Sequence, residues 1–175
     1  MRKVDRNMIL IVNTTENTKI TDEIRKELES RGEDFEIVEA SSMKISHCIG
    51  CNYCWLKTPG ICTIKDDYEI ILKKMVTAGQ LWVISDTALG FLDYKGKNIF
   101  DRVMPLITMY LKFKGKQMRH VLRYKNIMNI GLIYRGDGDR EYLKRWNERC
   151  ALNFGSKSLG VFPEEEVKEA AVCMH

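Results

Sequence analysis

The chain has 175 residues, of which 45% are hydrophobic and 30% are charged, and its formal net charge is +4. A chain of this size can bury a sufficient apolar core as one domain, predicted to span residues 1–175, so its stability does not require disulfide cross-links. The modest charge excludes a nucleic-acid binder that relies on basic charge alone, and the lack of a long apolar run excludes a membrane-spanning segment.

The first predicted strand is the apolar run Met8–Val12, which is typical of a buried parallel strand. This run is too short for a secretory leader, so we expect a cytoplasmic protein in which thiols stay reduced. Apolar residues then recur at helical spacing up to Gly32, which can end a helix. The alternating segment Asp34–Ala40 predicts a second strand.

A cysteine-rich segment, residues 46–67, follows the second strand and is called the cysteine loop below. Asp66 and Asp67 at its end can cap the next helix. The apolar segments Leu81–Ser85 and Ile127–Tyr134 predict a third and a fourth strand, with a helix between them. Strands that alternate with helices over short connections indicate a parallel sheet covered on both faces.

The predicted fold class is therefore α/β, with a flavodoxin-like or Rossmann-like doubly wound parallel sheet in a three-layer α/β/α arrangement. Asp139 is expected to cap the last long helix, and the fifth strand comes either from residues 158–163 or from residues 169–174. No long helix remains to cover that strand, so an apolar face is left open. An open apolar face predicts a homodimer or a higher homo-oligomer.

Ligands of such sheets bind beyond the carboxyl ends of the strands, which directs attention to the turn after the first strand. This turn has the sequence VNTTENTK and contains neither a G-x-G-x-x-G nor a P-loop pattern. Unpaired N–H groups at a helix start attract anions, although the same residues also suit a plain helix cap. The candidate phosphate-binding residues are Asn13, Thr14, Thr15, Asn17 and Thr18.

The cysteine loop contains the pattern C-x2-C-x2-C-x7-C, formed by Cys48, Cys51, Cys54 and Cys62. Overlapping C-x2-C spacing is typical of [4Fe–4S] sites. Structural zinc sites use two separate pairs and fit the spacing less well. Unligated thiols that pack the loop or form a transient disulfide are a third interpretation. The spacing alone leaves all three open, with the four cysteines as candidate metal ligands.

Two segments resemble known families. The turn resembles the flavodoxin phosphate loop T-x-T-G-x-T, with Glu16 in place of its glycine. The segment CIGCNYCWLKTPGICTIKDDY is similar to the NADPH-dependent FMN reductases and to the related iron–sulfur flavoproteins. The resemblance extends over nearly the whole chain, from the threonine-rich turn through DRVMPL to GVFP.

The resemblance implies bound FMN, whose ring lies along the loop after the third strand. The other interpretation of that loop is an ordinary βα connection without a ligand. Asp86 stands in that loop where the family often has proline. The residues implied to line the ring are Thr87, Ala88, Leu89, Gly90 and Phe91. Tyr134, Arg135 and Gly136, after the fourth strand, are expected at the same edge, with Tyr134 stacked on the ring or packed beneath it.

The predicted function is an FMN-dependent oxidoreductase that passes electrons from NAD(P)H to a small acceptor, to a redox protein partner or to a [4Fe–4S] cluster. The cofactor carries the chemistry, so no side-chain acid, base or nucleophile is expected to be indispensable. One alternative is a non-catalytic electron carrier or redox sensor, and a weaker one is a metal-stapled binding domain without flavin. A basic segment, residues 112–125, is either a solvated surface loop or a landing surface for NADPH phosphates or an acidic partner.

Overall fold

The computed structural model describes residues 8–175. The eight strands are β1 (Ile9–Asn13), β2 (Phe35–Glu39), β3 (Gln80–Ala88), β4 (Phe91–Leu92), β5 (Ile107–Lys114), β6 (Gln117–Leu122), β7 (Asn129–Arg135) and β8 (Ser158–Pro163). The six α-helices are α1 (Thr18–Arg31), α2 (Tyr53–Leu56), α3 (Tyr68–Met75), α4 (Tyr94–Asp101), α5 (Arg140–Asn153) and α6 (Val167–Val172). Short 3-10 turns span Met104–Leu106 and Glu164–Glu166.

The main sheet has parallel strands in the order β2-β1-β3-β7-β8, with β4 paired antiparallel to the end of β3. The chain moves outward from β1 to β2 and then crosses back to β3 on the other side of β1. This reversal of strand order is the switch point at which doubly wound sheets bind ligands. The predicted flavodoxin-like α/β class is confirmed.

Alternate residues of the central strands point to opposite faces of the sheet, as the two-residue repeat of a strand requires. Leu10 and Val12 pack with α3, α4 and α5, whereas Ile9 and Ile11 pack with α1 and α6. Both sets are fully buried. A strand buried on both faces therefore reads as a continuous apolar run in the sequence.

The register brings the carboxyl ends of the strands to one edge. Asn13 is aligned with Ile84, Ser85 with Tyr134, and Tyr134 with Pro163. The turn after β1, the hairpin after β3 and the loop after β7 thus begin at nearly the same level. This edge is where the predicted flavin-binding residues converge.

The structure decides between the two candidates for the fifth strand. Residues 158–163 form β8, whereas Ala170 and Ala171 of the other segment lie in α6 and are buried. Val167 and Met174 join them in covering the sheet face beside α1. No long helix covers this face, as expected, but the short α6, which is apolar on its inner side, covers part of it.

The basic segment differs from the predicted surface loop, because most of it forms the antiparallel β5–β6 hairpin. Other local predictions are confirmed: Gly32 ends α1 in the left-handed conformation, and the Asp139 side chain caps α5 by accepting from the Tyr142 N–H. Among residues 8–175, no helix is both long enough and apolar enough to cross a membrane.

Candidate functional site

Asn13 organises the turn after β1, which comprises residues 13–18 and is called the anion turn below. Its Oδ1 accepts from the N–H of Thr15 at 3.0 Å and from the Thr15 hydroxyl at 2.8 Å. Its Nδ2 donates to the carbonyl of Asn17 at 3.3 Å and to Oε2 of Glu39 at 2.7 Å. Asn13 is completely buried, so these bonds fix the path of the turn from below.

Two of the candidate phosphate-binding residues, Thr14 and Thr15, use their hydroxyls for bonds within the protein. Thr14 donates its hydroxyl proton to the carbonyl of Ile84 at 2.9 Å, and Thr15 donates to Asn13, so neither proton is available to a ligand in this arrangement. In the described part of the chain, the N–H groups of Glu16 and Thr18 donate to no other group. The donors that face outward are therefore mainly backbone groups.

Helix α1 starts directly behind these donors. Asn17 caps it by accepting from the N–H of Lys19 at 3.2 Å. The helix has 14 residues and no acidic residue in its first turn, so its positive dipole end is not neutralised from within. The turn thus serves both as a helix cap and as a place where an anion meets unpaired N–H groups.

Arg135 joins three of the loops at the sheet edge. Its Nη1 lies 3.4 Å from Oδ1 of Asp86, and its Nε lies 3.5 Å from Oε2 of Glu164. Glu164 in turn accepts from Nδ2 of Asn17 at 3.3 Å. The carboxylate of Glu164, which was not predicted, therefore places a negative charge beside the anion turn, and Arg135 balances that charge. Glu164 directly follows β8, and that position is the only sequence signal that could have identified it.

The predicted flavin loop after β3 forms a tight hairpin. Thr87 pairs with Leu92 and Ala88 with Phe91, which leaves a two-residue turn. Both turn residues are left-handed, Leu89 with φ 54° and Gly90 with φ 77°. This is the conformation of a type I′ turn, in which glycine is normal and leucine is rare. The Leu89 side chain is fully exposed at the tip.

The β3 hairpin is tied to the loop after β7. The carbonyl of Gly90 accepts from the N–H of Asp139 at 2.8 Å, and the Thr87 hydroxyl donates to the carbonyl of Arg135 at 3.0 Å. Tyr134 packs beneath this loop, against Gly138, and burial raises the pKa of its hydroxyl.

A cavity of about 320 Å³ opens at the same edge and contacts Thr14 of the anion turn. Its other walls are the segment after β2 and the start of α4, where Nζ of Lys95 donates to the carbonyl of Ser41 at 3.3 Å. Sequence reasoning missed Tyr94 and Lys95, which line this cavity. Their position at the first turn of the helix after β3 was the available signal.

The four predicted metal ligands all lie in the cysteine loop. Burial raises the pKa of the Cys54 thiol, and the negative charge of Cys62, Cys48 and Cys51 raises that pKa further. The four sulfurs are thus near enough to interact electrostatically. Within residues 8–175, however, no three cysteine, histidine or acidic side chains adopt a metal-binding arrangement.

Arg102 anchors the cysteine loop from outside it, and sequence analysis did not predict this. Its Nη1 donates to both carboxylate oxygens of Asp66, at 2.8 and 2.6 Å, and both side chains are buried. Its Nη2 lies 3.5 Å from Sγ of Cys62, and its guanidinium stacks over the ring of Tyr68 at 4.5 Å. Burial alone raises the pKa of the Asp66 carboxyl, but hydrogen bonds from Arg102 and from backbone N–H groups outweigh it, so the pKa is lowered.

Other contacts hold the middle of the cysteine loop. Arg123 donates to the carbonyl of Cys54 at 3.4 Å and to that of Pro105 at 3.0 Å. The indole N–H of Trp55 donates to the carbonyl of Met104 at 2.9 Å, and its ring lies 5.4 Å from that of His120 in β6. The loop is therefore supported by α4, by the 3-10 turn that follows it and by the β5–β6 hairpin.

Comparison with known proteins gives three curated relatives, all named iron–sulfur flavoproteins. One from Archaeoglobus fulgidus is 36% identical over 166 residues, which cover 88% of this chain and 69% of that protein. Relatives from Methanocaldococcus jannaschii and A. fulgidus are 33% and 32% identical over 51% and 54% of this chain. The chain spans only about half of these two relatives, 45% and 47% of their length. No protein-family model matches the chain.

Solved structures with the same fold include a reduced flavodoxin of Megasphaera elsdenii, with a TM-score of 0.52 and 15% identity. An FMN-dependent NADH-azoreductase of Bacillus anthracis, in complex with FMN, has a TM-score of 0.55 and 13% identity. Both alignments cover 95% of this chain and 98% of the other. At such low identity the likeness shows the fold alone.

Proposed function

The chain belongs to the iron–sulfur flavoprotein family, and from this premise we propose that it is an FMN-dependent oxidoreductase that transfers electrons from NAD(P)H to a small acceptor. The observation that carries this proposal is the anion turn. Its outward N–H groups meet the start of α1 at the switch point between β1 and β3, where a flavodoxin-like sheet binds a phosphate.

In this proposal the N–H groups of Glu16 and Thr18, with the Thr18 hydroxyl, hold the FMN phosphate. The backbone of the β3 hairpin, whose exposed tip is Leu89 and Gly90, would hold the ring together with Arg135 and Gly136. When bound, FMN would supply the chemistry of accepting a hydride and passing electrons on singly or in pairs. The protein orients the ring and neutralises the phosphate.

The cysteine loop fits a [4Fe–4S] cluster by its donor set. Its four thiols are soft ligands with overlapping C-x2-C spacing on one short segment of the chain. Cys48, Cys51, Cys54 and Cys62 would each hold one iron. The support that Arg102 and Arg123 give to the loop would keep the ligands in one region of the surface.

A second function, that of an electron carrier without turnover, is favoured by the β5–β6 hairpin. One face of this hairpin presents Met109, Leu111 and Phe113, all exposed, while Lys112 and Lys114 alternate with them. An apolar face beside basic charge suits a macromolecular contact, either with a redox partner or with a second copy of the chain. Saturable oxidation of NAD(P)H by the purified protein with a small acceptor would exclude a pure carrier.

The decisive test of the FMN site removes a backbone donor. Thr18 is the first residue of α1, a position where proline is well tolerated, and Asn17 before it is already extended. We expect Thr18→Pro to weaken FMN binding about tenfold, measured by quenching of FMN fluorescence, because one charge-assisted hydrogen bond is lost. Thr18→Ala keeps the N–H and serves as the matched control. Equal affinity of Thr18→Pro and Thr18→Ala would contradict this phosphate site.

The cluster is tested separately by anaerobic purification. We expect an absorption spectrum with both flavin and cluster bands and about four irons per chain. A serine at Cys62 is expected to remove most of the iron while FMN binding persists. Iron-free protein after anaerobic reconstitution, with FMN bound, would leave the four cysteines as thiols.

A further inference from the structure

Arg102 contacts a sulfur atom of the cysteine loop as well as the backbone of that loop. Its Nη2 donates to Sγ of Cys62 at 3.5 Å. Among residues 8–175, no other side chain donates to a sulfur of the four candidate metal ligands. Cys62 therefore differs from the other three candidate ligands, because a positively charged donor lies beside its sulfur.

Other contacts fix the guanidinium in this position. Its Nη1 donates to both carboxylate oxygens of Asp66 and, at 3.2 Å, to the carbonyl of Ser46. Its Nη2 also donates to the carbonyl of Ile64 at 3.4 Å, and the group stacks over the ring of Tyr68. None of these contacts involves the sulfur, so they keep the guanidinium in place independently of what the sulfur binds.

Water screens the charges next to Cys62 only weakly. The side chains of Arg102 and Asp66 are 1% and 3% exposed, so their fields act through protein rather than through solvent. The carboxylate of Asp66 meets the Nη1 edge of the guanidinium, whereas Cys62 meets Nη2. The sulfur is thus in direct contact with the positive group, and the negative group offsets part of that charge from the other edge.

A donor of this kind affects the redox properties of a cluster. Hydrogen bonds to the ligating sulfurs and the local charge are among the factors that set the reduction potential of an iron–sulfur cluster. Reduction adds one electron, which increases the negative charge that the thiolates share. A fixed positive donor at Cys62 would therefore stabilise the reduced form more than the oxidised form, and the negative charge of Asp66 would oppose that effect.

We propose that Arg102 is a positioning residue of the cluster site, and that its hydrogen bond to the Cys62 thiolate raises the reduction potential of a [4Fe–4S] cluster held by the cysteine loop. Asp66 orients the guanidinium and offsets part of its charge. This inference rests on the cluster of the proposed function. It goes further by assigning the potential of that cluster to an ion pair whose members are not metal ligands.

Two variants that both carry Asp66→Asn isolate the effect of Arg102. Asp66→Asn alone leaves the positive charge of Arg102 unbalanced, and we expect the equilibrium constant for one-electron reduction to rise about tenfold, which is about 59 mV. Asp66→Asn combined with Arg102→Met removes both charges and the bond to the sulfur, and we expect that constant to fall about tenfold below wild type. The double variant has no unpaired buried charge, so it avoids the large destabilisation expected of Arg102→Met alone.

The measurement is an anaerobic redox titration of the full chain after its iron has been counted. Dithionite donates one electron to each cluster, no bond forms or breaks, and the electron paramagnetic resonance signal of the reduced cluster gives the midpoint potential. This titration does not depend on NAD(P)H. Arg123→Lys is the matched control, because Arg123 donates to the carbonyl of Cys54 rather than to a sulfur, and the potential of this variant should equal that of wild type.

Shifts of opposite sign in the two variants, with the control unchanged, would support the inference, since a loop that had merely loosened would shift both potentials in the same direction. Equal potentials in wild type and both variants, at about four irons per chain, would overturn it, and so would shifts of the same sign. Wild-type protein that takes up no iron would remove the cluster and this inference together. Loss of NAD(P)H oxidation with the expected potentials would contradict only the proposed enzyme.

Discussion

The anion turn and the cysteine loop both follow strands at the same edge of the sheet, yet they are stabilised in opposite ways. The anion turn is shaped mainly by its own residues, since Asn13 bonds to Thr15 and Asn17, two and four positions later, and distant residues such as Ile84 and Glu39 add to this. The cysteine loop is held mainly by distant residues: Arg102 lies 36 positions after Asp66, and Arg123 lies 69 after Cys54. The shape of the turn is therefore set largely from within, whereas the loop depends on Arg102 and Arg123 from elsewhere in the chain.

The difference has a consequence for cofactors. A turn that carries its own hydrogen bonds can present N–H donors before a ligand arrives, which lowers the entropic cost of binding. The thiols of the cysteine loop adopt no metal-binding arrangement among residues 8–175, so the proposed cluster would itself have to bring them together. We therefore expect the FMN site to be largely preformed and the cluster site to form on loading.

The largest expected effect comes from removing the distant anchor. Arg102→Met leaves the buried carboxylate of Asp66 without its partner, and we expect a loss of about 3–5 kcal/mol in the free energy of unfolding. Chemical denaturation of the purified protein measures this. Arg149→Met, at an exposed position of α5, is the control and should change stability by less than about 0.5 kcal/mol. Similar losses in both variants would show that the anchor is unimportant.

Removing the Asn13 side chain from the anion turn should lower the free energy of unfolding less than removing Arg102. Asn13→Ala removes the acceptor of the buried Thr15 N–H and hydroxyl and the donor to Oε2 of Glu39, and we expect a loss of about 1–3 kcal/mol in the free energy of unfolding. FMN affinity should fall as well, because the turn loses its shape. Asn153→Ala, at the exposed end of α5, is the control. A stability change no larger than that of the control would remove Asn13 as the organiser of the turn.

The buried Arg102–Asp66 ion pair also predicts that the free energy of unfolding depends on pH. The folded-state pKa of Asp66 is lowered, so its ionised form contributes stability above the unfolded pKa of about 3.9, and this contribution is lost as the pH falls through the folded value. The difference in unfolding free energy between wild type and Asp66→Asn should be largest above about pH 5 and should shrink below about pH 4. A difference that stays constant from pH 3 to pH 6 would contradict the lowered pKa.

The smallest expected effect is a gain in stability. Leu89 adopts a left-handed conformation in a type I′ turn, and Leu89→Asn creates the preferred Asn-Gly pair. We expect a gain of about 0.5–1 kcal/mol in unfolding free energy. Leu111→Asn, on the exposed face of β5, should show no gain. If Leu89 contacts the flavin, the stabilised variant will bind FMN more weakly, which a fluorescence titration detects.

Much of the fold could be predicted because its strands are buried on both faces. Met8–Val12 and Leu81–Ser85 were recognisable as strands, and the structure places β1 and β3 there, with β3 running on to Ala88. The β3 hairpin was missed because a Leu-Gly pair is not a usual type I′ sequence. The β5–β6 hairpin was missed because its basic residues indicate a solvated segment, and β5 is exposed on both faces from Met109 to Lys114, so it lacks a buried and exposed alternation.

The candidate site likewise contains some residues that the sequence revealed and others that it did not. The anion turn and the four cysteines were visible as local motifs, whereas Arg102, Glu164 and Lys95 were not, since each acts on a segment far away in the chain. Nothing in the residues around Arg102 distinguishes it from other charged positions of the sequence. Its burial against Asp66 follows from the packing of α4 beneath the cysteine loop.

Residue order alone was enough to specify the alternation of strands and helices, the parallel sheet and the two candidate ligand-binding segments, because periodicity and spacing act over a few residues. Folding in three dimensions determined that the Thr14 hydroxyl points inward to the carbonyl of Ile84 and that Arg102 supports the cysteine loop. Those features depend on contacts between segments 36 or more positions apart, and no local pattern encodes such contacts.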